Sequence, residues 1–411
     1  MFNINRSQSQ PRHCMVVYAS YPLGETRVQR EAEALVKHGY KVDVICIRMP
    51  GEPATDEYRG VKIYREEYRL PYSLAKGSAL GEKIFRYIRF FLSATVRLTW
   101  LHFHELFSSI QVHNLPDFLV FCALVPKLLG ASIILDMHDL MPEFYAGRFG
   151  ENSSLTARLI RLQERLACRF ADHVITVSEH WRQALIGRGV RPDKCSVVMN
   201  VADDQIFQPS NGNHHNLSAR NGFRLIYHGS IHQRYGLDLA VQAVDHLRHE
   251  IPDIHLTLVG AGDYLPNLQR MIDLLQLREF ITIEPRHLAE ELPEIICSCD
   301  LGVVPYRADI FTDGLLPTKL MEYAALGLPV VAARTTAIQA YFKKTNVKFF
   351  EPGKVDDLVR CIIDLYHHPD RMTELARGSN NFNQRYNWTK ISKDYVSLVD
   401  CLRLGYPPNL S

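Results

Sequence analysis

The segment Asp313–Ala333, with the sequence DGLLPTKLMEYAALGLPVVAA, indicates a phosphate-binding turn, a helix and a buried strand. Pro317 suits the first turn of the helix, where its missing N–H is not needed. Thr318 and Lys319 follow it, so backbone donors at the helix N-terminus, the helix dipole and an ammonium group can face one anion, such as a diphosphate. Gly327 ends the helix, and the apolar run after it predicts a strand buried on both faces.

Glu322 lies roughly one turn beyond Lys319, on about the same face of this helix. Its carboxylate suits hydrogen bonds from a ribose diol. The segment therefore offers an anion site and a ribose site on one short helix.

Strand and helix patterns alternate along most of the chain. The opening unit consists of a strand over 14–19, a helix from about Glu25 to His38 and a strand over 42–47. Further apolar strand patterns, separated by helical ones, lie at 110–113, 133–136, 174–177, 196–199, 224–227, 255–259, 281–284, 302–304, 330–332 and 348–350. This order predicts an α/β protein with doubly wound parallel sheets.

The length of 411 residues favours two domains, because it is long for a single core. The periodicity disappears over 203–223, which is polar and rich in turn residues. We therefore place the boundary near Val201. The first domain is predicted to span 1–201, with 1–12 as a disordered lead-in, and the second to span 202–388.

Composition and charge exclude several classes of protein. A formal net charge of +2 gives no reason to expect nucleic-acid binding. The nine cysteines are scattered without the spacing of a zinc site, which indicates reduced core residues in a cytoplasmic protein. The N-terminus lacks the apolar segment of a signal peptide. The longest apolar stretch, 118–135, is interrupted by Pro126, Lys127 and Gly130, so we expect a helix and a strand rather than a membrane span.

Segments spread along the chain carry a resemblance to a known family. They lie at 21–35, 112–117, 135–143, 174–179 and 227–230, ahead of the segment over 313–333. Together they resemble the retaining GT-B glycosyltransferases of the "glycosyl transferases group 1" family, which use nucleotide-sugar donors. The resemblance covers nearly the whole chain. It implies two Rossmann-like domains facing a cleft, with the acceptor on the first and the donor on the second, and a C-terminal helix, about 389–411, that packs back on the first domain.

On the donor side, the resemblance implies that Arg234 and Lys319 share the neutralisation of the diphosphate, while Glu322 binds the ribose. Two departures from the family pattern concern this site. Ser230 and Tyr235 stand where the family usually has Arg and Lys. Gly314 stands where it has the first Glu of an acidic pair, with Asp313 as the adjacent acid. Further donor-side candidates are Gly229, Gly260, Gly262, Glu284, Arg286, Leu315, Leu316 and Thr318. For Arg234, the alternative is a solvated surface charge.

On the acceptor side, His138 follows the strand over 133–136, at the edge where ligands bind in open parallel sheets. The resemblance implies that His138 approaches the transferred sugar. Gly24 lies in the first strand-to-helix turn, where a backbone without a side chain can approach a ligand. The remaining acceptor-side candidates are His113, Asn114, Asp117 and Asp139. The alternative for Asn114 and Asp117 is structural capping. The alternative for His138 is that it only caps and hydrogen-bonds its loop, together with Asp136 and Asp139.

The segment 83–104 combines aromatic and aliphatic residues with Arg86, Arg89 and Arg97. This composition suits a helix lying on an anionic membrane surface. A core helix with one basic edge is the alternative, and it is slightly favoured.

The resemblance implies a reaction in which a glycosyl unit passes from a UDP- or GDP-type sugar to a glycan, lipid-linked or other hydroxyl acceptor, with retention. No Asp-x-Asp motif stands at a donor site, so neither a divalent metal nor another cofactor is expected. The pathway would be cell-surface polysaccharide or glycoconjugate synthesis, in the cytoplasm or on the inner face of the membrane. Two alternatives stay open: a sugar-nucleotide epimerase of the same fold, and a donor-binding protein that has lost catalysis, for which Gly314 and Ser230 are the motivation.

Overall fold

A computed structural model describes residues 10–22, 25–67, 79–149, 155–208 and 222–406. The chain divides into two compact units. Unit 1 consists of Met1–Met199 with Ile391–Ser411, and unit 2 of Asn200–Lys390. Each unit is an α/β domain built around its own sheet.

The sheet of unit 1 has eight strands in the order β3-β4-β2-β1-β5-β6-β7-β8. They are β1 (Arg12–Val16), β2 (Lys41–Ile47), β3 (Thr55–Tyr58), β4 (Val61–Glu66), β5 (Ser109–His113), β6 (Ser132–Met137), β7 (His173–Thr176) and β8 (Cys195–Val197). The helices are α1 (Thr26–Lys37), α2 (Ala79–Glu105), α3 (Leu124–Leu128), α4 (Met141–Phe149), α5 (Leu155–Phe170) and α6 (Glu179–Gly187), with a 3₁₀ helix over Asp117–Ala123.

Three predictions for unit 1 need correction. The sheet is mixed rather than wholly parallel, because β3 pairs antiparallel with β4. The strand β3 has the polar sequence TDEY at an exposed sheet edge, so it gives no apolar pattern. The first strand ends at Val16 and not at residue 19. The proposed lead-in over 1–12 is too long, since Arg12 already belongs to β1; residues 1–9 lie outside the described residues.

The two faces of this sheet carry different helices. Ile110 and Val112 of β5 face a core formed with α2, the 3₁₀ helix, α5 and α6. Gln111 lies between them and points to the opposite face, where it contacts α1 through Glu31. The last helix of the chain, α14 (Trp388–Leu404), packs on that face too, because Tyr395 Oη donates a 2.7 Å hydrogen bond to Gln111 Oε1.

The sheet of unit 2 has six parallel strands in the order β11-β10-β9-β12-β13-β14. They are β9 (Phe223–Ser230), β10 (Ile254–Ala261), β11 (Ile281–Glu284), β12 (Leu301–Val304), β13 (Val330–Ala333) and β14 (Lys348–Phe350). The helices are α7 (Leu237–Leu247), α8 (Leu265–Leu274), α9 (Leu292–Cys297), α10 (Thr318–Leu326), α11 (Thr336–Tyr341), α12 (Val355–His367) and α13 (Pro369–Arg385). The strand order reverses between β9 and β12, and the carboxyl ends at such a switch point are where open α/β sheets bind ligands.

The segment over 313–333 folds largely as its sequence predicts. Gly327 adopts a left-handed conformation with φ +73° and ends α10, and every residue of β13 is buried; both predictions are confirmed. The prediction that Pro317 lies in the first turn of the helix was wrong. This residue precedes the helix in an extended conformation and does not belong to the first turn.

Two glycines allow loops at the carboxyl edge of this sheet to approach each other closely. At Gly236, which has φ +68°, a Cβ atom would lie 1.9 Å from the carbonyl oxygen of Pro305. At Gly262, a Cβ would lie 2.0 Å from the carbonyl oxygen of Ile231. Any side chain at either position would force the backbone apart.

The nine cysteines are all free and seven of them are buried, as expected of reduced core residues. Among the described residues, no helix is long and apolar enough to cross a membrane.

Candidate active site

Lys319 lies in an aromatic cage at the switch point of unit 2. Its Nζ is 4.7, 5.5 and 5.1 Å from the ring centres of Tyr227, Tyr235 and Tyr306. It donates a 2.8 Å hydrogen bond to Tyr306 Oη. Aromatic faces attract an ammonium group through their quadrupoles, so the cage stabilises a charge that burial alone would penalise.

The ammonium group of Lys319 also lies against the carboxyl end of β9. A Cβ atom at Gly229 would lie 3.3 Å from Lys319 Nζ, so the ammonium group sits directly against this glycine. Burial lowers the pKa of Lys319 to about 8, although the carboxylate of Glu322 opposes the shift. A bound anion would favour the charged form again.

Glu322 is held by a residue of the neighbouring strand. Its Oε2 lies 2.5 Å from His228 Nε2, and His228 Nδ1 lies 3.0 Å from Tyr323 Oη. The hydroxyl of Tyr323 also accepts a 3.1 Å hydrogen bond from the backbone N–H of His228 and donates a 3.3 Å one to the carbonyl oxygen of Ile226, so the imidazole ring is held at one edge while its Nε2 faces the carboxylate. His228 thus fixes the orientation of Glu322.

Arg234 lies half-buried on the loop between β9 and α7. Its guanidinium group stacks over the ring of Phe311 at 5.0 Å, and its carbonyl oxygen accepts a 3.3 Å hydrogen bond from the backbone N–H of Arg307. Arg307 is fixed in turn by Asp238 at 2.6 Å. Arg234 is therefore part of a packed loop, which is not the solvated surface charge considered as the alternative.

A buried polar cluster occupies the carboxyl ends of β5 and β6 in unit 1. His113 Nδ1 lies 3.0 Å and His138 Nε2 lies 3.3 Å from the same oxygen of Asp136, Oδ2. Arg27 of α1 binds both carboxylate oxygens, with its Nε 2.9 Å from Oδ2 and its Nη2 3.0 Å from Oδ1. His138 is the partly exposed member, since its side chain retains 18% exposure while His113 and Asp136 have none.

The pKa values of the cluster follow from burial and from Arg27. Burial opposes ionisation of Asp136, but Arg27 and the two histidines outweigh it and hold the pKa of Asp136 well below its usual value. Burial also disfavours charge on His138, yet the Asp136 carboxylate raises the pKa of His138 above its usual value. Burial lowers the pKa of His113 to about 4. At neutral pH His113 is therefore neutral, and His138 is the histidine of the pair that is disposed to carry charge.

Asn114 holds the loop that carries His138. Its Oδ1 accepts a 2.9 Å hydrogen bond from the backbone N–H of His138, and its Nδ2 donates to the carbonyl oxygen of Asp139 at 2.6 Å and to Asp117 Oδ1 at 3.0 Å. Asp117 is fully buried, and burial raises its pKa to about 7. Asn114, itself hydrogen-bonded to Asp117, thus holds the backbone of the loop that carries His138.

His113, Asp136 and His138 are the group of described residues whose ligand atoms lie close enough to one another to hold a metal ion, all within 4.8 Å. The surroundings argue against this use. Arg27 occupies the same carboxylate, and a guanidinium charge at hydrogen-bond distance would repel a cation. Hydrogen bonds among these side chains account for the cluster.

Comparison with known proteins identifies the family. Residues 24–200 match the family model described as "Glycosyl transferase 4-like domain", and residues 222–368 match "Glycosyl transferases group 1". The chain belongs to the group 1 glycosyltransferases. Both of its units carry part of the family signature.

One relative of this group 1 glycosyltransferase is the "GDP-mannose-dependent alpha-(1-6)-phosphatidylinositol monomannoside mannosyltransferase" of Mycolicibacterium smegmatis. It is 37% identical over 147 residues, which cover 35% of this chain and 38% of the relative. The aligned segments span 38, 55 and 60% of the lengths of the first three curated relatives.

Solved structures show the fold. Sucrose-phosphate synthase from Thermosynechococcus elongatus superposes with a TM-score of 0.75 at 18% identity, over 96% of this chain and 100% of that one. Anabaena HepE in complex with UDP-glucose superposes with a TM-score of 0.72 at 17% identity, over 95% of this chain and 99% of that one. The group 1 glycosyltransferase described here therefore has the GT-B fold, with two parallel α/β domains apart from the antiparallel edge strand β3.

The remaining candidate residues are spread more widely. Asp313 Oδ1 accepts a 2.9 Å hydrogen bond from the backbone N–H of Thr336, at the start of α11, so its carboxylate is already engaged. Glu284 Oε2 lies 3.1 Å from His287 Nε2. Glu284 and the exposed Arg286 lie at the end of β11, which is two strands away from β9 in the sheet. Gly314 and Leu316 are buried, whereas Ser230, Leu315 and Thr318 are half-buried. Gly260 packs on the carbonyl of Gly229, and Gly24 lies outside the described residues.

Several residues of the group 1 glycosyltransferase escaped the sequence analysis although they hold its candidate side chains. They are Arg27, Glu31 and Gln111 in unit 1 and Tyr227, His228 and Tyr306 in unit 2. The only local signal was in α1, where Arg27 and Glu31 are four residues apart, form a 3.0 Å ion pair and are both buried. Charged residues on the buried face of a helix predict a polar network beneath it.

Proposed function

We propose that this group 1 glycosyltransferase transfers a sugar from a nucleotide-sugar donor to a hydroxyl acceptor, with retention of anomeric configuration. The observation that carries the proposal is the caged ammonium group of Lys319, placed against Gly229 at the switch point of unit 2 and on the same short helix as Glu322. A diphosphate needs buried positive charge and a ribose needs a fixed acceptor. This arrangement supplies both.

In the proposed reaction the diphosphate is bound by Lys319, Arg234 and the backbone at the start of α10, and the ribose by Glu322. The bond between the anomeric carbon and the donor phosphate oxygen breaks while the acceptor oxygen bonds to the same face of that carbon. The acceptor proton passes to the released diphosphate oxygen. Lys319 and Arg234 stabilise the negative charge that develops there.

His138 is the unit 1 residue that we assign to the transferred sugar. Support comes from its partial exposure at the carboxyl edge of the sheet and from its raised pKa, since a protonated imidazole can donate to a sugar hydroxyl. His113, Asn114, Asp117 and Asp139 would act on the acceptor side mainly by holding this loop.

We further propose that no divalent metal takes part. The donor-side residues already supply a buried ammonium group and a guanidinium group, and the Asp136 cluster is paired with Arg27. These groups can neutralise a diphosphate without a cation.

The donor is proposed to be of the UDP or GDP type and the acceptor a glycan or lipid-linked hydroxyl, in the synthesis of cell-surface polysaccharide or glycoconjugate. The GDP-mannose dependence named for the mycobacterial relative and the UDP-glucose bound to HepE support these classes. We place the reaction in the cytoplasm or at the inner face of the membrane, with 83–104 as a candidate for membrane contact.

The test is to incubate the full chain with UDP-, GDP- and ADP-sugars, with and without a panel of hydroxyl acceptors and with a chelator present throughout. Acceptor-dependent transfer with retained configuration is the expected result. Epimerised sugar nucleotide without acceptor would assign the epimerase alternative instead. If the chain binds a donor but neither transfers the sugar nor hydrolyses the donor even slowly, it is a binding protein that has lost catalysis.

A further inference from the structure

Exposed apolar side chains concentrate on the outer helices of unit 1. In the described part of the chain, fifteen of the twenty-one large apolar side chains that are exposed lie on or directly after α2, α3 and α5. Those of α5 are Leu155, Leu159, Leu162 and Leu166, with exposures of 72, 55, 47 and 48%. Single exposed leucines are ordinary, but a concentration of this kind on one face marks an interaction surface.

The leucines of α5 form one row that points away from the core. Their spacing of four, three and four residues places them on one face of a helix. The residues of α5 that are buried, Glu164, Ala167 and Cys168, lie on the opposite face. Packing within unit 1 therefore does not explain the leucine row.

Arginines line one side of this row. They are exposed and recur every three or four residues, at Arg158, Arg161, Arg165 and Arg169. The only acidic residue of α5, Glu164, is paired with Arg188 at 2.8 Å, and Arg188 also pairs with Glu143 of α4. The arginine row thus has no acidic counterpart on its own helix.

The arginines of α2, unlike those of α5, form ion pairs with acidic residues. Arg97 pairs with Glu66 at 2.8 Å, Arg89 with Glu67 at 3.5 Å, and Arg86 with Glu82. Their charges are balanced, so the basic edge expected of 83–104 is neutralised. What α2 offers to solvent is apolar surface, from Phe85, Ile88, Leu92, Val96 and Trp100.

The three helices form one continuous layer. The 3₁₀ helix over Asp117–Ala123 packs between α2 and α5, with Phe118 5.7 Å from Phe91 of α2 and Phe121 5.2 Å from Phe170 of α5. The helix α3 continues directly from this 3₁₀ helix and exposes Leu124 and Leu128. Exposed apolar side chains are therefore present on α2, α3 and α5 of this layer, and in the part of the chain that the structure describes the four arginines of α5 form no ion pair.

We propose that the outer face of α5, together with the exposed apolar side chains of α2 and α3, docks on the surface of an anionic lipid bilayer. The leucines enter the boundary between headgroups and acyl chains, while the arginines extend beside them to lipid phosphates. A second copy of the chain fits less well, because pairing of two such helices would bring their arginine rows near each other without acidic partners. The proposal does not depend on the proposed transfer reaction.

The experiment is sedimentation of the full chain with vesicles of phosphatidylcholine alone or mixed with phosphatidylglycerol, without donor or acceptor. The wild-type protein should bind only the anionic vesicles, and high salt should weaken the binding. Replacing the four arginines by glutamine, as Arg158→Gln, Arg161→Gln, Arg165→Gln and Arg169→Gln, should weaken binding more than about tenfold. Leu159→Gln with Leu162→Gln should do the same. The matched control is Leu274→Gln with Arg278→Gln, both exposed in unit 2, which should bind like the wild type.

Several outcomes would overturn the proposal. These are a wild-type protein that ignores anionic vesicles, an arginine variant that binds as the wild type does, and a dimer in analytical ultracentrifugation that the leucine variant dissociates. The last would assign the face to a second copy. If the fourfold variant fails to fold by circular dichroism, the leucine pair and the salt titration decide the question. Transfer to a soluble acceptor, measured separately, distinguishes failure of docking from failure of the proposed function.

Discussion

At Lys319, burial and function oppose each other. A buried ammonium group is costly, so burial lowers the pKa of Lys319 to about 8, and the opposing effect of the Glu322 carboxylate offsets only part of this shift. Three tyrosine faces and one hydroxyl group are the other partners of the ammonium group. A bound diphosphate would favour the charged form of Lys319 more strongly.

We predict that affinity for a nucleoside diphosphate depends on the charge of Lys319. Because the pKa in the free protein is about 8 and a bound anion favours the charged form, affinity should be constant below pH 8 and fall by up to about tenfold for each pH unit above it. Isothermal titration between pH 6.5 and 9.5 measures this. In Lys319→Met affinity should be low at every pH, and a variant with the same pH dependence as the wild type would assign the effect elsewhere.

We predict that His138 and Asp136 respond differently to substitution. His138→Ala should lower turnover by roughly 10²-fold and change donor affinity much less, because the side chain is proposed to act on the sugar and not on the nucleotide. Asp136→Asn should instead destabilise unit 1 by about 3 kcal/mol, since it removes a buried carboxylate partner of Arg27.

Steady-state kinetics, donor titration and urea unfolding separate these effects. Asp193→Asn, at an exposed ion pair, is the control for charge loss at the surface and should change stability little. Equal losses of donor affinity and turnover in His138→Ala would move this residue to the donor pocket.

At the scale of elements, the donor side is built where β9, α10 and the segment after β12 meet. The strand β9 contributes His228 and Gly229, α10 contributes Lys319 and Glu322, and Tyr306 follows β12. Position 229 favours glycine because its φ of +117° is one that other residues rarely adopt, and a Cβ atom there would lie 3.3 Å from Lys319 Nζ. The ends of neighbouring parallel strands bring these residues together although they are far apart in sequence.

We predict that His228 and Glu322 act as one unit across β9 and α10. Glu322→Ala should weaken donor binding by about 10- to 100-fold, because a charged hydrogen-bond partner contributes about 1.5–3 kcal/mol. His228→Ala should weaken it less, since it only releases the carboxylate. The double variant should lose less than the sum of the two.

A thermodynamic cycle of donor affinities checks this coupling. His228→Gln, which can still donate to Glu322 from a side-chain amide, is the matched control and should recover part of the loss. Full additivity of the two alanine variants would mean that His228 does not position Glu322.

At the scale of the whole molecule, the last helix belongs to the first unit. Tyr395 of α14 hydrogen-bonds Gln111, and Gln111 in turn donates to Asp136 at 3.2 Å and to Glu31 at 2.7 Å. Tyr40 likewise donates to Asp400 at 2.5 Å. The polar cluster around Asp136 is therefore completed by the C-terminal end of the chain.

We predict that Tyr395→Phe destabilises unit 1 selectively. Loss of the hydroxyl leaves a buried oxygen of Gln111 without its donor, which costs about 1–3 kcal/mol. Hydrogen exchange should lose protection in β1 and β5 and keep it in β9 and β10. Tyr366→Phe, whose ring packs on Phe223 in unit 2, is the control and should leave unit 1 unchanged. Equal loss of protection in both units would refute a selective effect.

Most of the fold was predictable because the parallel strands buried on both faces give continuous apolar runs. This holds for β5, β6, β9, β12 and β13, whose predicted bounds lie within a few residues of the observed ones. The edge strand β3 gave no such signal, since its exposed residues have no core to match. The neighbouring strand β4 was also missed, although its sequence VKIYRE has the two-residue period that predicts a strand.

The sequence by itself determined the alternating α/β order, the two-domain organisation, the helix that carries Lys319 and Glu322, and the strand end that carries His138, because each is encoded within a few neighbouring residues. Only the tertiary structure decided which side chains surround them. The tyrosines around Lys319 come from β9, from the turn after it and from the segment after β12, and His228 lies 94 positions from the Glu322 that it orients. Such partners are selected by which strand ends adjoin in the folded sheet, and local sequence patterns do not contain that information.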